Sequence, residues 1–425
     1  MKQNLNKLAK QLRQLIRLAY NLAAEKGMHA YLVGGFVRDS ILGVPNFDLD
    51  IIVEGNAPSF ASLLAKRINA KVIIHPRFGT ATLVTPKKIK VDIATVRSEI
   101  YPQPASLPVV HPGTIEDDLA RRDFTINALA IELLPDGFGR LVDFYHGKHD
   151  IQSKIIRILH PLSFIDDPTR IIRAVRFEQR LKFKIELRSL KLLKAAQKSG
   201  MLKRVSPHRL RDELILILSE PLALNCIVRL NKLAGFDFIH PRIKITKATL
   251  NYLTAIKKEI DWFKGNLPKH RPLDVWLMYF TGILSVLKKS QVIEVCRKFG
   301  LRRGETKRII SYVKFSQAKV SRLSKKNILP SQIYQVLEPL SFEVILLIKA
   351  KYKNKLLNRL IFRFFKHYNG TRVYLAGRDL AKLGLKPSPD YKKILDRLLC
   401  LQLNRRINSR RDALKWVKQK AKGLK

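Results

Sequence analysis

The sequence predicts an α+β fold: a small mixed-sheet head followed by a long all-α neck, body and tail. Three observations predict it. Strand-like and helix-like stretches alternate from residue 28 to about 148, only helical periodicity continues after Asp150, and basic residues accumulate toward the C-terminus. At 425 residues the chain is too long for one ordinary core, and divisions are expected at 1–148, 149–240 and 241–425. The apolar fraction of 46% is enough to fill several cores.

The formal charge of +47 narrows the partners. Residues 241–425 carry 44 Lys and Arg against 11 Asp and Glu, while the first 240 residues carry 37 and 23. That is the footprint of a polyanion partner. A membrane surface would also attract such charge, but the basic residues are spread through helical patterns rather than packed beside an apolar anchor. The longest apolar run, Val275 to Leu287, is shorter than the ~18 residues of a spanning helix and reads as a buried helix. Cys226, Cys296 and Cys400 are too scattered for a disulfide framework or a zinc knuckle, so a cytoplasmic location is expected.

Residues 1–27 read as an amphipathic helix packed on the first strand, Tyr31-Leu32-Val33. Gly34-Gly35 follow, where a backbone can turn sharply and bring its N–H groups close to a phosphate. Phe36 to Leu42 reads as a short helix stopped by Gly43, with Pro45 just beyond. The next strand is expected to carry Asp48 and Asp50 on one face, because strand side chains alternate with period two. Hard oxygen ligands this close suit Mg²⁺, which takes one or two carboxylates plus substrate phosphate oxygens. Alone, Gly-Gly reads as a turn and Asp-X-Asp as a solvated strand end. In this order and spacing they form a phosphate cradle beside a metal pair, the apparatus of phosphoryl or nucleotidyl transfer.

Further strands are expected at Val72–His75, Thr80–Thr85, Lys90–Thr95 and Ala128–Leu133, with a helix near Ser59–Asn69. The Pro-rich stretch between Arg97 and Asp118 reads as a loop, and one of that length inside a compact domain is usually functional. Helices are then expected from Pro168 to Phe183, Leu190 to Ser199, Ser206 to Ser219 and Leu222 to Ala234.

Gly34-Gly35-Phe36-Val37-Arg38-Asp39 followed by Asp48-Leu49-Asp50 resembles the nucleotidyltransferase signature of the polymerase-β superfamily. More narrowly it resembles the class II group of tRNA CCA-adding enzymes and bacterial poly(A) polymerases. The resemblance implies that Asp48 and Asp50 hold the metal and that Gly34, Gly35 and Arg38 cradle phosphates. Asp92 stands where the superfamily often places a third acid. Two-metal transfer commonly needs one, although on its own it is equally an ordinary strand carboxylate.

Arg121-Arg122-Asp123-Phe124-Thr125-Ile126-Asn127-Ala128 forms a second block. Arginine suits bidentate contact with a triphosphate, and Asp and Asn suit ribose hydroxyls. The same residues also read as a helix start with Asp123 as N-cap. The resemblance implies ribose selection by Asp123 and Asn127 and phosphate contact from Arg121 or Arg122. Asp136-Gly137 and Leu141-Val142-Asp143 resemble the family's flexible connector between head and neck.

Asp167 reads as the N-cap of the next helix and Pro168 as its first residue. Arg170, three positions on, lies about 60° around the helix from Asp167. Side by side, a carboxylate accepts from the exocyclic amine of cytosine or adenine while a guanidinium donates to the adjacent ring nitrogen. Uracil and guanine present the reversed pattern, so the pair selects CTP and ATP by about 1–3 kcal/mol per contact. This resembles the family's Glu/Asp-Asp-X-X-Arg motif, with Asp166 where Glu is more usual. Arg173 and Arg176 are assigned to phosphate contact or to coupling neck and head. Arg209 and Glu213 are assigned as supports of the base-reading helix, and His208 as a surface residue. Ala376-Gly377-Arg378-Asp379-Leu380 resembles the tail of bacterial CCA-adding enzymes, with Arg405, Arg406, Arg410 and Arg411 placed to run along tRNA.

The resemblance implies a template-independent, Mg²⁺-dependent enzyme adding CCA from CTP and ATP to the 3′ end of tRNA, with no protein partner implied. A CC-adding or A-adding enzyme is the first alternative, because the segment from Arg97-Ser98-Glu99-Ile100-Tyr101 to Val110 resembles a subset that includes split activities. A bacterial poly(A) polymerase ranks lower, since its strongly basic segment falls where this chain has His75-Pro76-Arg77-Phe78-Gly79-Thr80. A non-catalytic RNA-binding protein on the same fold ranks last, because the acidic, arginine-rich and base-reading motifs are all retained.

Overall fold

The computed structural model describes residues 10–76, 79–133, 139–267, 269–323, 325, 327–385 and 387–422. The chain divides into two compact units, Met1–Phe238 and Ile239–Lys425.

The first unit begins with helix α1 (Lys10–Glu25), strand β1 (Ala30–Val33), α2 (Gly35–Leu42), β2 (Leu49–Val53) and α3 (Ala57–Ile68). Strands β3 (Lys71–His75), β4 (Thr80–Val84) and β5 (Lys90–Thr95) follow, then β6 (Arg97–Ile100), β7 (Val109–Pro112), α4 (Ile115–Ala120), β8 (Ala130–Glu132) and β9 (Leu141–Val142). Seven of these strands form one sheet in the order β3-β4-β5-β2-β1-β8-β9. The sheet is mixed: β2 and β5 run parallel, and the other neighbours are antiparallel.

Alternation builds its two faces. Tyr31 and Val33 of β1 and Ile52 of β2 pack with Leu119, Ala128, Ala130 and Val142. Helices α1 and α3 pack on each other and on the sheet, burying Leu15, Ile16, Ala19 and Leu22 at helical spacing together with Phe60, Ala61 and Leu64. Asn56 caps α3 by accepting from the Ser59 backbone N–H at 2.9 Å.

Several expectations shift. Strand β2 begins at Leu49, so Asp48 precedes it. The Pro-rich stretch is not all loop: β6 and β7 pair as an antiparallel hairpin in the register Arg97↔Pro112 and Ile100↔Val109. Its prolines lie in the connection and at the end of an edge strand, where no ladder N–H is needed. Strands also persist past Asp150, as a two-residue parallel pair of Ile155–Ile156 with Lys184–Ile185. Leu141–Val142, read as a connector, is an edge strand of the main sheet. Arg77, Phe78, Asp136, Gly137 and residues 1–9 lie outside the described residues.

The unit continues with α5 (Gly147–Gln152), α6 (Ser163–Asp166), α7 (Thr169–Leu181), α8 (Leu187–Lys198), α9 (Met201–Arg204), α10 (Pro207–Ser219) and α11 (Ala223–Leu233). Helix α7 packs against α10 and α11. Ser206 and Pro207 take the N-cap and first positions of α10 as expected, and His208 is exposed.

Among the described residues the regular elements of the second unit are all helices. Val275–Leu284 is a buried helix, and Phe263, Phe342 and Phe365 pack within 5.3–5.8 Å of one another. The last two helices enclose Leu380, Leu398, Ala413 and Val417, leaving Arg405, Arg406 and Arg411 exposed. Arg410 donates to Asp379 at 2.7 Å. Among the described residues no helix is long and apolar enough to cross a membrane, and the three cysteines are free thiols.

Candidate active site

A cleft of about 670 Å³ in the first unit gathers Gly34, Gly35, Arg38, Asp48, Asp50, Arg121, Asp123, Asn127, Asp167, Arg170, Arg173 and Arg176. Residues from four separate segments thus share one concavity. Asp92 is not in its lining but stands directly across from Asp50 in the β2–β5 register.

The turn into α2 sets one wall. Gly34 sits at φ 68°, ψ −132°, a conformation open only to glycine. A Cβ there would stand 3.0 Å from Arg122 Nη1 and 3.7 Å from Asp50 Oδ2. Gly34 is thus where the backbone approaches both a guanidinium and a carboxylate. Asn46 donates to Asp39 Oδ2 and accepts from the Asp48 backbone N–H, each at 2.8 Å, which holds the segment before β2 against α2.

The acids behave as a cluster of like charge. Burial raises the Asp50 carboxyl to about 6, and the nearby carboxylates of Asp48 and Asp92 push in the same direction against Arg122 and Lys90. Asp92 accepts from Thr82 Oγ1 at 2.6 Å and from Lys90 at 2.5 Å. Among the described residues no three His, Cys, Asp or Glu side chains gather closely enough to hold a metal on protein ligands alone. Two acids open to a cleft still fit a divalent cation that completes its shell with substrate phosphate oxygens and water. The mutual repulsion at Asp50 is what such a cation would relieve.

Asp118, fully buried, organises the arginines. Its Oδ1 accepts from Arg121 Nε at 3.0 Å and Nη2 at 2.6 Å, and its Oδ2 from Arg122 Nε at 3.3 Å and Nη2 at 2.8 Å. Arg121 Nη1 goes on to Glu99 at 3.0 Å. Arg121 is thereby committed to two carboxylates, while Arg122 presents Nη1 beside Gly34.

Asp123 does not cap a helix. It is buried ahead of a 3₁₀ turn, Thr125–Asn127, with Phe124 as N-cap. Its Oδ1 accepts from the Phe124 N–H and from Asn127 Nδ2, both at 2.9 Å, and its Oδ2 from Arg173 at 2.9 and 2.6 Å. Burial alone would raise this carboxyl, but Arg173 and the Asn127 amide hold it below its ordinary value. Asn127 Oδ1 accepts in turn from Arg38 at 2.7 Å. Arg38 is buried and also bound to Asp39 at 2.8 Å. Arg173 reaches on to Glu213 at 3.1 Å. Among the described residues Arg176 Nε has no hydrogen-bond partner, and Arg38, Arg173 and Arg176 surround the Phe177 ring at 5.2–5.7 Å.

At the far end, α7 starts one residue later than expected, with Pro168 as N-cap. Asp167 nonetheless caps the turn, its Oδ1 accepting from Thr169 N at 3.0 Å and Thr169 Oγ1 at 2.6 Å. The same oxygen meets Arg209 Nη2 at 2.7 Å. Arg170 donates to Ser163 Oγ at 2.6 Å and to the Arg121 carbonyl at 2.7 Å. Arg209 also donates to the Ala105 and Ser106 carbonyls at 3.1 and 3.2 Å, tying the connection of the β6–β7 hairpin to the Asp167 end of the cleft. Arg209 and Glu213 therefore brace the start of α7, through Asp167 and Arg173.

Sequence reasoning passed over Asp118, Glu99 and Tyr101. The i,i+3 and i,i+4 spacing of Asp118 to Arg121 and Arg122 was a signal for the first. The other two are brought in by the unrecognised hairpin.

Residues 30–157 match the model of the poly(A) polymerase head domain. An A-adding tRNA nucleotidyltransferase of Geobacter sulfurreducens is 38% identical over 92% of this chain, which spans 45% of that protein's length. An A-adding tRNA nucleotidyltransferase of Halalkalibacterium halodurans is 33% identical over 96% of this chain and 92% of its own. The solved structure of the Thermotoga maritima CCA-adding enzyme complexed with tRNA is 32% identical, with a TM-score of 0.72 over 99% of this chain and 98% of that one. The chain belongs to the class II CCA-adding enzyme and poly(A) polymerase family of nucleotidyltransferases.

Proposed function

We propose that the chain is an A-adding tRNA nucleotidyltransferase, transferring AMP from ATP to the 3′-hydroxyl of tRNA ending in CC. The observation that carries it is that two relatives matched over more than nine tenths of this chain are both named A-adding. The cleft accounts for the chemistry. Asp48 and Asp50 hold Mg²⁺, which supplies charge neutralisation at the reacting phosphates. Gly34 and the α2 N-terminus receive the triphosphate beside Arg122. Asp123 and Asn127 face the ribose. Asp167 and Arg170 read the base edge, and their donor and acceptor pattern admits adenine or cytosine but not guanine or uracil. The 3′-oxygen bonds to the α-phosphorus as its bond to the bridging oxygen of pyrophosphate breaks, and the hydroxyl proton passes to the acidic cluster. The basic second unit, with Arg405, Arg406 and Arg411 on its surface, supplies the polyanion-binding face for tRNA.

A second reading is complete CCA addition, favoured by neighbours solved as CCA-adding enzymes with CTP and with ATP, which cover 97–99% of this chain at 33% identity. The test is to offer labelled CTP and ATP with tRNAs ending at the discriminator base, at C and at CC. AMP incorporation on the CC-ending tRNA alone supports A addition, and labelling of all three supports CCA addition. No Mg²⁺-dependent labelling of any of them overturns both.

A further inference from the structure

We infer that Tyr101 is the platform on which the nucleobase stacks, and that it weights the site toward the larger face of adenine. The inference rests on the reading of the cleft as a nucleotide site. Asp167 and Arg170 lie at the rim of a base and read its edge, so they leave its faces to other groups. The cleft lining contains two aromatic residues, Phe177 and Tyr101. Phe177 is already taken, with three guanidinium groups within 5.7 Å of its ring. Tyr101 has no ring or guanidinium stacked on it among the described residues. It also borders the adjoining recess that holds His160 and Asp166, which places it beside Asp167 and Arg170.

The placement of Tyr101 is built. Its hydroxyl donates to Glu99 Oε2 at 3.4 Å. Glu99 is held in turn by Arg97 at 2.9 Å and Arg121 at 3.0 Å. Downstream, Ala105 N donates to the Ile165 carbonyl at 3.0 Å, and Arg209 ties the same turn to Asp167. The ring is thus bracketed between two anchors, one on the arginine-bearing segment and one on the base-reading segment. Burial raises the hydroxyl to about 12, so it stays a neutral donor at working pH and the ring carries no charge against a base.

Stacking on an aromatic side chain is sequence-tolerant and scales with the overlapping face, so a purine gains more than a pyrimidine. The test is steady-state kinetics of Tyr101→Ala and Tyr101→Phe with ATP on CC-ending tRNA and with CTP on the shorter tRNAs. Tyr101→Ala should raise KM for ATP by about fivefold or more, with a smaller change for any CTP reaction, and Tyr101→Phe, which keeps the ring and loses only its tie to Glu99, should raise it by less. A Tyr101→Trp variant gives a readout independent of turnover: its emission should be quenched by ATP without tRNA. An unchanged KM in Tyr101→Ala, equal loss in Tyr101→Phe, or no quenching in Tyr101→Trp while that variant still turns over would overturn the inference. A wild-type protein that transfers no nucleotide would instead overturn the function on which it rests.

Discussion

Asp50 and Asp92 stand opposite each other on the parallel strands β2 and β5, and with Asp48 they place three carboxylates where burial has already raised the Asp50 carboxyl to about 6. A fold tolerates such repulsion where a cation completes the site. Asp48→Ala and Asp50→Ala should each lower nucleotide transfer by about a thousandfold or more, with tRNA binding by fluorescence anisotropy unchanged. In metal-free protein, Asp50→Asn should raise the melting temperature at pH 7, because it removes a buried charge that the empty cluster repels. A lowered melting temperature would show that Asp50 is a structural partner instead.

Asp118 links the two arginines, and its role is mechanical. It is fully buried and accepts four hydrogen bonds from Arg121 and Arg122. Removing one partner of a buried ion cluster costs about 3–5 kcal/mol, because the remaining charges are left uncompensated. Asp118→Ala should therefore lower stability by that order in chemical denaturation. In any folded fraction, KM for the nucleotide should rise as Arg122 loses its orientation beside Gly34.

The proposal that Asp167 and Arg170 read the base gives a prediction about choice rather than rate. Asp167 Oδ1 takes three protein donors, two from Thr169 and one from Arg209. Asp167→Asn replaces an acceptor with a group that can also donate. It should narrow discrimination against UTP and GTP by about five- to a hundredfold, equivalent to ~1–3 kcal/mol. Arg209→Ala should narrow it by less, since Thr169 still holds the carboxylate. Misincorporation is read by sequencing the 3′ ends; a variant that is slower with all four nucleotides in proportion would contradict the assignment.

What the sequence made legible was local. Gly34-Gly35, Asp48 with Asp50, and Asp123 with Asn127 are pairs within four residues of one another, so short spacing along the chain brings them to one cleft. Asp167 with Arg170 was legible for the same reason, across the start of a helix. What it hid was long-range. Arg38 turns onto Asn127, 89 positions away, and Arg173 onto Asp123, 50 positions away; neither spacing announces a contact. The hairpin of β6 and β7 was masked by its own prolines. With it went the reason that Glu99 and Tyr101 enter the cleft. The one-residue shift at Pro168 changed nothing chemical, because the Asp167 side chain reaches the Thr169 N–H from outside the helix as readily as an N-cap would.

Acid should destabilise the second unit through Glu343. Burial alone would raise this carboxyl, but Arg271 on both oxygens at 2.8 and 2.9 Å and the Asp274 N–H at 3.1 Å hold it at about 2. A carboxyl depressed in the folded state contributes stability above its unfolded value, near 4.5, and loses it as pH falls toward 2. Glu343→Gln should remove on the order of 3 kcal/mol at pH 7 and flatten the melting-temperature profile between pH 4.5 and 2. A variant with the wild-type acid slope would place that sensitivity elsewhere.

Gly34 joins fold to chemistry in a single position. Its φ of 68° with ψ of −132° is costly for any L side chain, and an added Cβ would meet Arg122 Nη1 at 3.0 Å. The contact is with the end of a flexible side chain, so Gly34→Ala should fold, at a cost of about 1–3 kcal/mol of backbone strain. The guanidinium must then move away from the place where the backbone N–H groups of α2 and the Asp50 carboxylate converge. Nucleotide KM should rise while the Asp167-dependent choice of base is kept, because the displaced group lies at the phosphate end of the cleft. Equal loss of affinity and of base discrimination would mean that the two ends are not separable, and that Gly34 shapes the whole pocket.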